Sequence, residues 1–504
     1  MSHLPATLWP SVDARPAGTG PLFRLSPGLH RLPHPAGGAV LTSRRPLMAM
    51  RLNPQAAAII AALEEGGEGT TADAAARLAG VAPSAARAFL ERLAGRRLVE
   101  RVAVAPQRWP EVSIIIAARG RPGATRECVR SLLALDYPDD LREIIVVDDA
   151  SEPPLADALA GMPVRLVRLE ANVGQSAARN IGAAEAEGEL LAFTDNDCTA
   201  EPGWLRALVP YFTDPAVVLA GGRVVAAAAE GPVAAFEAVR SPLDMGAQGG
   251  AVGPDAAVAY LPTCNLLVRR DALLAIGGFS VAMRVGEDVD FCMRVLQPGC
   301  RAVYAPEGRI VHDHRVRLAD LLRRRADYGA SEADLQRRHA AQRRTMPVPI
   351  CGLLALAALC ALAVFWPLAL LLSLAVVLLL AREVHGKHRR LRGLGVPANR
   401  GSVAAAVLRE HRASLHTLSA NALRYSLLLL APAAIVLPPL APAVAVLLLF
   451  APVIDHGRLR PALSLPTFVA LTVLEMLAYQ AGVWRGCRQH RTLEPMLPRL
   501  VRRR

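Results

Sequence analysis

Five short clusters carry side chains able to do chemistry. The first is VVDDAS, in which Asp148 and Asp149 close an apolar run. A carboxylate there can accept hydrogen bonds from a nucleobase N–H or a ribose hydroxyl, although an aspartate in such a place also simply opens a turn. Residues 172–180, NVGQSAARN, offer Gly174 for a tight turn and Arg179 as a partner for a diphosphate or as an ordinary helix-start arginine. LLAFTDND ends in Asp195, Asn196 and Asp197. Two carboxylates two residues apart after an apolar strand can reach one hard cation such as Mg2+ or Mn2+. GEDVDFCMR crowds Glu287, Asp288 and Asp290 at what reads as a helix start. Crowding raises carboxylate pKa values and suits a general base, while the same charges complement a helix N-terminus. RIVHDH sets His312 and His314 on either side of Asp313. A neutral imidazole can complete a metal sphere, and the spacing leaves open which of the two would do so.

These clusters need a scaffold, and the text between them supplies one. From Val112 onward, VSIIIAA, EIIVVDD, VRLVRL and ELLAFTD are apolar β-branched runs that alternate with helical stretches such as ATRECVRSLLAL and GQSAARNIGAAEAE. Such alternation implies βαβ units, a largely parallel sheet and ligands beyond the carboxyl ends of the strands. Before this region, GLHRL, GAVLTS and LMAMRL read as strands. NPQAAAIIAALEEGG reads as a helix capped by Asn53, with Pro54 in its first turn and Gly66 at its stop. Two further helical segments and the strand RRLVERVAV complete a small winged-helix-like module at 23–105. Residues 1–22 lack periodicity and are expected to be loose. No apolar run follows an early basic cluster, so no secretory signal peptide is expected.

The chain has 504 residues, 53% of them hydrophobic, and a net charge of +13; its mean hydropathy is +0.29. Two or three domains are the expectation at this length. The eight cysteines form no C-x-x-C pair, which points away from a disulfide framework or a zinc site. The apolar excess sits at the end. Pro347 to Ala381 and Ser426 to Ile454 contain no charged residue, and Ala462 to Val483 contains only Glu475. About 20 apolar residues cross a bilayer, so the first stretch suits one tilted span or a tight pair broken at Pro367. The basic connector 382–424 and the basic end are placed in the cytoplasm by the positive-inside rule, so the first stretch must cross an even number of times or lie in the interface.

Taken in order, VSIIIAARGRP, VVDDAS, NVGQSAARN, TDND, PTCNLLVRR with AIGGFS, GEDVDFCMR and VYAPEGRIVHDH resemble the family 2 glycosyltransferases of GT-A fold, over roughly 112–315. The resemblance implies an α/β domain at 112–345 and inverting transfer from a nucleotide sugar, usually a UDP-sugar, with Mg2+ or Mn2+. It implies that Asp149 contacts the base, that Asp195 sits near the ribose or sugar and that Asp197 binds metal, with His312 a further ligand and His314 in reserve. Asp288, paired with Glu287, would take the acceptor proton, and Cys264 and Asn265 would lie on the acceptor side. The Q-x-x-R-W element of processive synthases is missing from LADLLRRRADYGAS, which argues against a long-chain synthase.

The layout narrows the match. A small N-terminal module, a GT-A domain and a hydrophobic helical membrane tail at 346–504 resemble the mycofactocin-system glycosyltransferases, and LMAMRLNPQAAAIIAALEEG is similar to the peptide-chaperone fold of pyrroloquinoline quinone biosynthesis. This implies glucosylation of a peptide-derived redox cofactor from UDP-glucose, by a cell-membrane protein in contact with lipid whose catalytic domain is cytoplasmic. A polyprenyl-phosphate or cell-envelope glycan transferase is the alternative within enzymes. A membrane-tethered DNA- or peptide-binding protein is the alternative of another class. Residues 81–95 carry few basic side chains where a recognition helix would lie, so no nucleic-acid partner is expected.

Overall fold

The computed structural model describes residues 21–45, 47–254, 256–314, 316–339, 345–347, 350–497 and 499–501. The stretch expected to be loose thus lies almost wholly outside the described residues, as does the basic end 502–504. The chain forms two compact units. One comprises 1–42, 50–225 and 243–312, and the other 43–49, 226–242 and 313–504.

The N-terminal module runs Leu22–Leu25 (β1), Leu29–Pro33 (β2), Ala39–Arg44 (β3), Leu47–Leu52 (β4), Pro54–Glu65 (α1), Thr70–Thr71 (β5), Ala72–Ala79 (α2), Pro83–Gly95 (α3) and Val99–Val102 (β6). Strand β1 lies between β5 and β6, antiparallel to both, while β2, β3 and β4 form a second sheet. The start of α1 follows from its residues. Asn53 Oδ1 accepts the Ala56 N–H at 2.8 Å and Pro54 opens the first turn.

The larger domain contains Val112–Ala118 (β7), Pro122–Leu133 (α4), Arg142–Asp148 (β8), Arg165–Arg168 (β9), Gln175–Glu185 (α5), Leu190–Asp195 (β10), Cys198–Ala200 (β11), Trp204–Leu208 (α6) and Val217–Ala226 (β12). It continues with Pro232–Arg240 (α7), which belongs to the second unit, then Gly250–Val252 (β13), Leu266–Arg269 (β14), Arg270–Ala275 (α8), Glu287–Val295 (α9) and Arg301–His312 (β15). The sheet order is β11-β15-β12-β14-β10-β7-β8-β9, with β13 against β15. Strands β7, β8 and β10 read as apolar runs because both faces are covered. Ile114 and Ile116 enter one core layer with Trp204, and Ile115 enters the other with Phe193 and Phe279.

The expectation of a largely parallel sheet holds for half of it. Pairs β10–β7, β7–β8 and β8–β9 are parallel, whereas β14 runs antiparallel to both β10 and β12, and β15 antiparallel to β11 and β13. Chain order reverses beside β7, whose neighbours β8 and β10 carry the aspartate clusters at their carboxyl ends. That is the switch point where open α/β sheets bind ligands.

Asn265 staples the antiparallel half together. Its Oδ1 accepts from Trp204 Nε1 at 2.8 Å and from the Gly222 N–H at 3.2 Å, and its Nδ2 donates to the carbonyls of Arg223 and Gly308, each at 3.0 Å. It is fully buried, and Cys264 beside it lies in the core. Cys264 and Asn265, expected on the acceptor side, thus lie within the core, and every hydrogen-bonding direction of the Asn265 amide is spent inside the protein.

The second unit contains Leu318–Arg338 (α10), Thr345–Pro347 (β16), Ile350–Leu362 (α11), Trp366–Gly393 (α12), Arg400–Val436 (α13), Ala441–Leu459 (α14), Leu465–His490 (α15) and Arg499–Val501 (β17), with β16 parallel to β17. This unit takes in α10, which packs along α15. A Cβ placed on Gly329, Gly482 or Gly486 would lie about 2 Å from a carbonyl oxygen of the facing helix, so small residues set the approach. Arg325 Nε binds Glu475 Oε1 at 2.7 Å and the same guanidinium also binds Glu237. Arg240 joins Glu475 to Asp455 at 3.2 and 3.0 Å, and His416 meets Asp455 at 2.8 Å. Among the described residues, four helices (α12, α13, α15, and α14 with the turn before it) are long and apolar enough to cross a membrane by length and composition.

Replacing Asn265 by Ala would orphan a buried indole N–H, a backbone N–H and two carbonyls. Thermal or urea unfolding should show a loss of about 3 kcal/mol. A loss below the range of ordinary surface substitutions would remove the staple role.

Candidate active site

The loop after β8 is built on two aspartates with different tasks. Asp148 is fully buried. It accepts the N–H groups of Ser151 at 2.9 Å and Leu155 at 3.1 Å, and Arg168 Nη1 at 2.5 Å. Burial pushes its carboxyl up, but these hydrogen bonds outweigh burial and hold it below the ordinary carboxylate range. Asp149 reaches the next loop instead. Its Oδ1 accepts the Val173 N–H at 2.7 Å, and its Oδ2 accepts Asn172 Nδ2 at 2.6 Å and the Gly174 N–H at 3.0 Å. Gly174 sits at φ 87° and ψ 158°, a conformation that side-chain-bearing residues avoid. Asp149 therefore clamps the loop that starts α5.

Helix α5 then delivers Arg179 into the centre. Arg179 is only 3% exposed, yet its Nη2 lies 2.8 Å from Asp195 Oδ1 and its Nη1 lies 3.0 Å from Glu287 Oε1. Burial opposes its charge, but the two carboxylates hold the guanidinium firmly protonated. Gln175 Nε2 also donates to Glu287 at 2.5 Å. Arg179, expected against a diphosphate, has both ends of its fork on protein carboxylates. Arg179 instead ties the end of β10 to the start of α9.

The acidic cluster at α9 spreads rather than crowds. Glu287 is buried on Arg179 and Gln175, and Asp290 pairs with Arg294 Nε at 2.7 Å. Asp288 is half-buried at the helix start, its Oδ1 accepting the Val289 N–H at 2.8 Å. Glu287, expected to share the catalytic role, is held on Arg179 and Gln175, and Asp288 is the member of the pair that reaches partly toward solvent.

The D-x-D turn is equally divided. Asn196 Nδ2 donates to the Gly120 carbonyl at 3.2 Å and to Thr125 Oγ1 at 3.0 Å, a task no carboxylate could perform. Asp197 Oδ2 accepts Arg121 Nη1 at 2.8 Å, and Asp197 Oδ1 lies 3.6 Å from His312 Nε2. Strand pairing explains the second contact: β11 runs against β15 with Cys198 opposite His312. The structure so separates the two histidines. His312 faces Asp197, while His314 Nδ1 lies 3.6 Å from Glu237 Oε2 in the second unit.

These groups fit a divalent cation. A separation of 3.6 Å is too long for a hydrogen bond. It matches two ligands each about 2.1 Å from one ion. Burial, with Asp195 adding to it, pushes the Asp197 carboxyl up, and His312 and Arg121 pull it down. Asp197, Cys198 and His312 each place a ligand atom within 4.8 Å of the others. Burial raises the Cys198 thiol well above its usual range, so it stays a thiol and is a poor partner for a hard ion. Asp197 and His312 are the donors that suit one.

Arg121 was missed in the sequence. It sits at φ 55° immediately before Pro122, in the left-handed region that costs a non-glycine residue about 1 kcal/mol. The only signal for it is an arginine directly before a proline at the end of a strand. Nothing local says that it turns toward an aspartate 76 residues away.

A model of glycosyl transferase family 2 matches residues 113–274. The chain is 37% identical over 246 residues to the pre-mycofactocin glycosyltransferase of Mycobacterium tuberculosis, a match covering 48% of this chain and 50% of that protein. It is 27% identical over 229 residues to glycosyltransferase AglE of Haloferax volcanii, covering 44% and 73%. The chain thus spans about half the length of the pre-mycofactocin relatives. Among solved structures, the mannosyltransferase PcManGT from Pyrobaculum calidifontis, in complex with GDP-Man and Mn2+, is similar at 20% identity and TM-score 0.38, over 68% of this chain and 88% of that one. The mixed sheet, the aspartate turn at its switch point and the matched residues agree: residues 113–274 match glycosyl transferase family 2, and the chain resembles the pre-mycofactocin glycosyltransferase.

Proposed function

We propose that the chain transfers a hexose from a nucleotide-diphosphate sugar to an acceptor hydroxyl, with inversion at the anomeric carbon. One observation carries this reading. Arg179 joins Asp195, in the metal-competent turn, to Glu287, the neighbour of Asp288, so a cation site and a candidate base are held on either side of one buried guanidinium. A Mg2+ or Mn2+ ion at Asp197 and His312 would neutralise the diphosphate as it leaves. Asp288 accepts the proton of the attacking hydroxyl as the acceptor oxygen bonds to the anomeric carbon and the bond to the diphosphate oxygen breaks. Asp149 shapes the donor side through the loop 172–174 that it holds. The likeness to a pre-mycofactocin glycosyltransferase supports an acceptor of mycofactocin type; we further take the acceptor as peptide-derived, the donor as UDP-glucose and, from the basic connector after the first apolar stretch, the catalytic domain as cytoplasmic. The membrane-capable helices favour, as a second reading, an acceptor carried on a polyprenyl phosphate.

The purified chain in detergent should release nucleoside diphosphate from one UDP-sugar, and chelator should stop the release. Failure with every donor, in the presence of cell extract to supply acceptor, would discard the proposal. Dependence on added polyprenyl phosphate, rather than on a peptide-derived acceptor, would select the second reading.

Four variants separate the roles. Asp288→Asn should lower turnover by about 10²- to 10⁴-fold while donor binding, followed by calorimetry, survives. Near-normal turnover would remove Asp288 as the base. His312→Ala and Asp197→Ala should each weaken Mn2+ binding by about 10-fold or more, since they remove one of few donors. Unchanged Mn2+ titrations would place the ion elsewhere. Arg179→Met leaves two carboxylates uncompensated and should destabilise the fold by about 3–5 kcal/mol, whereas Asp288→Asn should melt like the unaltered chain.

A further inference from the structure

The apolar helices of the second unit satisfy a length criterion for crossing a membrane, but their arrangement argues for something else. Helix α11 is 13 residues long, about 20 Å, and turns at 363–365 into α12. The charge-free part of α12, Trp366–Ala381, is about 24 Å long before Arg382, Glu383 and Lys387 follow. The second pair repeats the pattern. From Tyr425 to Val436, α13 extends about 18 Å, turns at 437–440, and returns as Ala441–Ile454, about 21 Å, to Asp455. A hydrocarbon core is about 30 Å thick. No arm reaches through it.

The two turns are apolar, and they are where exposure peaks. Ile435 is 81% exposed, Val436 76%, Val364 70% and Trp366 68%. Their backbones suit lipid, where an unpaired N–H is costly. Ala363, Val364 and Phe365 donate to Cys360 or Ala361, Leu437 to Ala433, Leu440 to Leu437 and Ala441 to Pro438, while Pro438 and Pro439 have no N–H to satisfy. Helix α11 packs against α13, α14 and the second turn, so the hairpins stand together.

Their opposite ends are polar and mutually tied. Lys387 binds Glu383 at 2.9 Å and Glu410 at 2.7 Å, His411 binds Glu383 at 2.8 Å, and His416 binds Asp455 at 2.8 Å. The fourth candidate, α15, carries Glu475 buried at its middle on Arg325 and Arg240, and it lies along the arginine-rich α10. A charged helix against its length is incompatible with a lipid span. The share of its apolar window buried in the protein is 44%, against 6% for α12.

We propose that this unit is monotopic: the hairpins 350–381 and 425–454 enter the bilayer from its cytoplasmic face, reach partway, and return, so that no segment crosses. The lipid acyl chains of the membrane are the occupant of the exposed apolar surface, and the basic connector 382–412 meets the headgroups of the same face. The inference does not depend on the proposed reaction.

The test uses the full chain in cells, with Val364→Cys, Val436→Cys or Gly395→Cys added and the unaltered chain as baseline for its native cysteines. A membrane-impermeant maleimide should add no label to any of the three in intact cells. After lysis without detergent it should label Gly395→Cys alone, and after detergent all three. Labelling of either turn in intact cells would mean a crossing and overturn the proposal, as would labelling of Gly395→Cys from outside. Alkaline and high-salt washes of membranes holding the unaltered chain should leave it in the pellet. Recovery in the soluble fraction would show that the hairpins are covered by protein rather than lipid, and would overturn it equally.

Discussion

A buried guanidinium with two carboxylate partners organises the catalytic domain. Arg179 has given up water, and Asp195 and Glu287 compensate it. An uncompensated charge at such depth is costly enough to move a fold, so the three groups constrain one another. Asp195 lies at the end of a parallel strand and Glu287 at the start of a helix more than ninety positions later. Their common partner fixes the separation between the cation turn and the helix that bears Asp288. The same triad explains why a cluster of three acids at α9 does not behave as a cluster. Glu287 is spent on Arg179 and Asp290 on Arg294, which leaves Asp288 its separate role.

The second constraint is strand register. His312 meets Asp197 because Cys198 lies opposite it across the antiparallel β11–β15 pair. A slip of one residue would turn the imidazole to the other face of the sheet. Asn265 guards that half of the sheet from within, since it bonds to the carbonyl of Gly308 on β15 and to both Gly222 and Arg223 on β12. An asparagine in a motif expected to bind ligand thus acts at a distance, by holding the strand that carries His312, the proposed metal ligand.

The second unit obeys a different solvent. Charges are placed where protein surrounds them: Arg325 and Arg240 hold Glu475, and Asp455 holds His416. Apolar surface is left open where four helix arms end in two turns. Apolar length by itself makes α12, α13, α14 and α15 look alike. What distinguishes them is the neighbour each one has, and α15 has a charged helix.

The sequence by itself determined the local facts. Both-face burial of β7, β8 and β10 is written in unbroken β-branched runs. The cap of α1 is written in Asn53-Pro54, the cation turn in Asp195 to Asp197, and the break between α11 and α12 in the residues just before Pro367. Each of these rests on neighbours within a few positions. Only the tertiary structure decided the rest, because the deciding partner lies far along the chain. It set His312 beside Asp197 and His314 beside Glu237, buried Arg179 between Asp195 and Glu287, brought Arg121 to Asp197, and placed Cys264 and Asn265 in the core. It also showed the sheet to be half antiparallel, since strand direction depends on which strand β14 joins and not on the composition of β14.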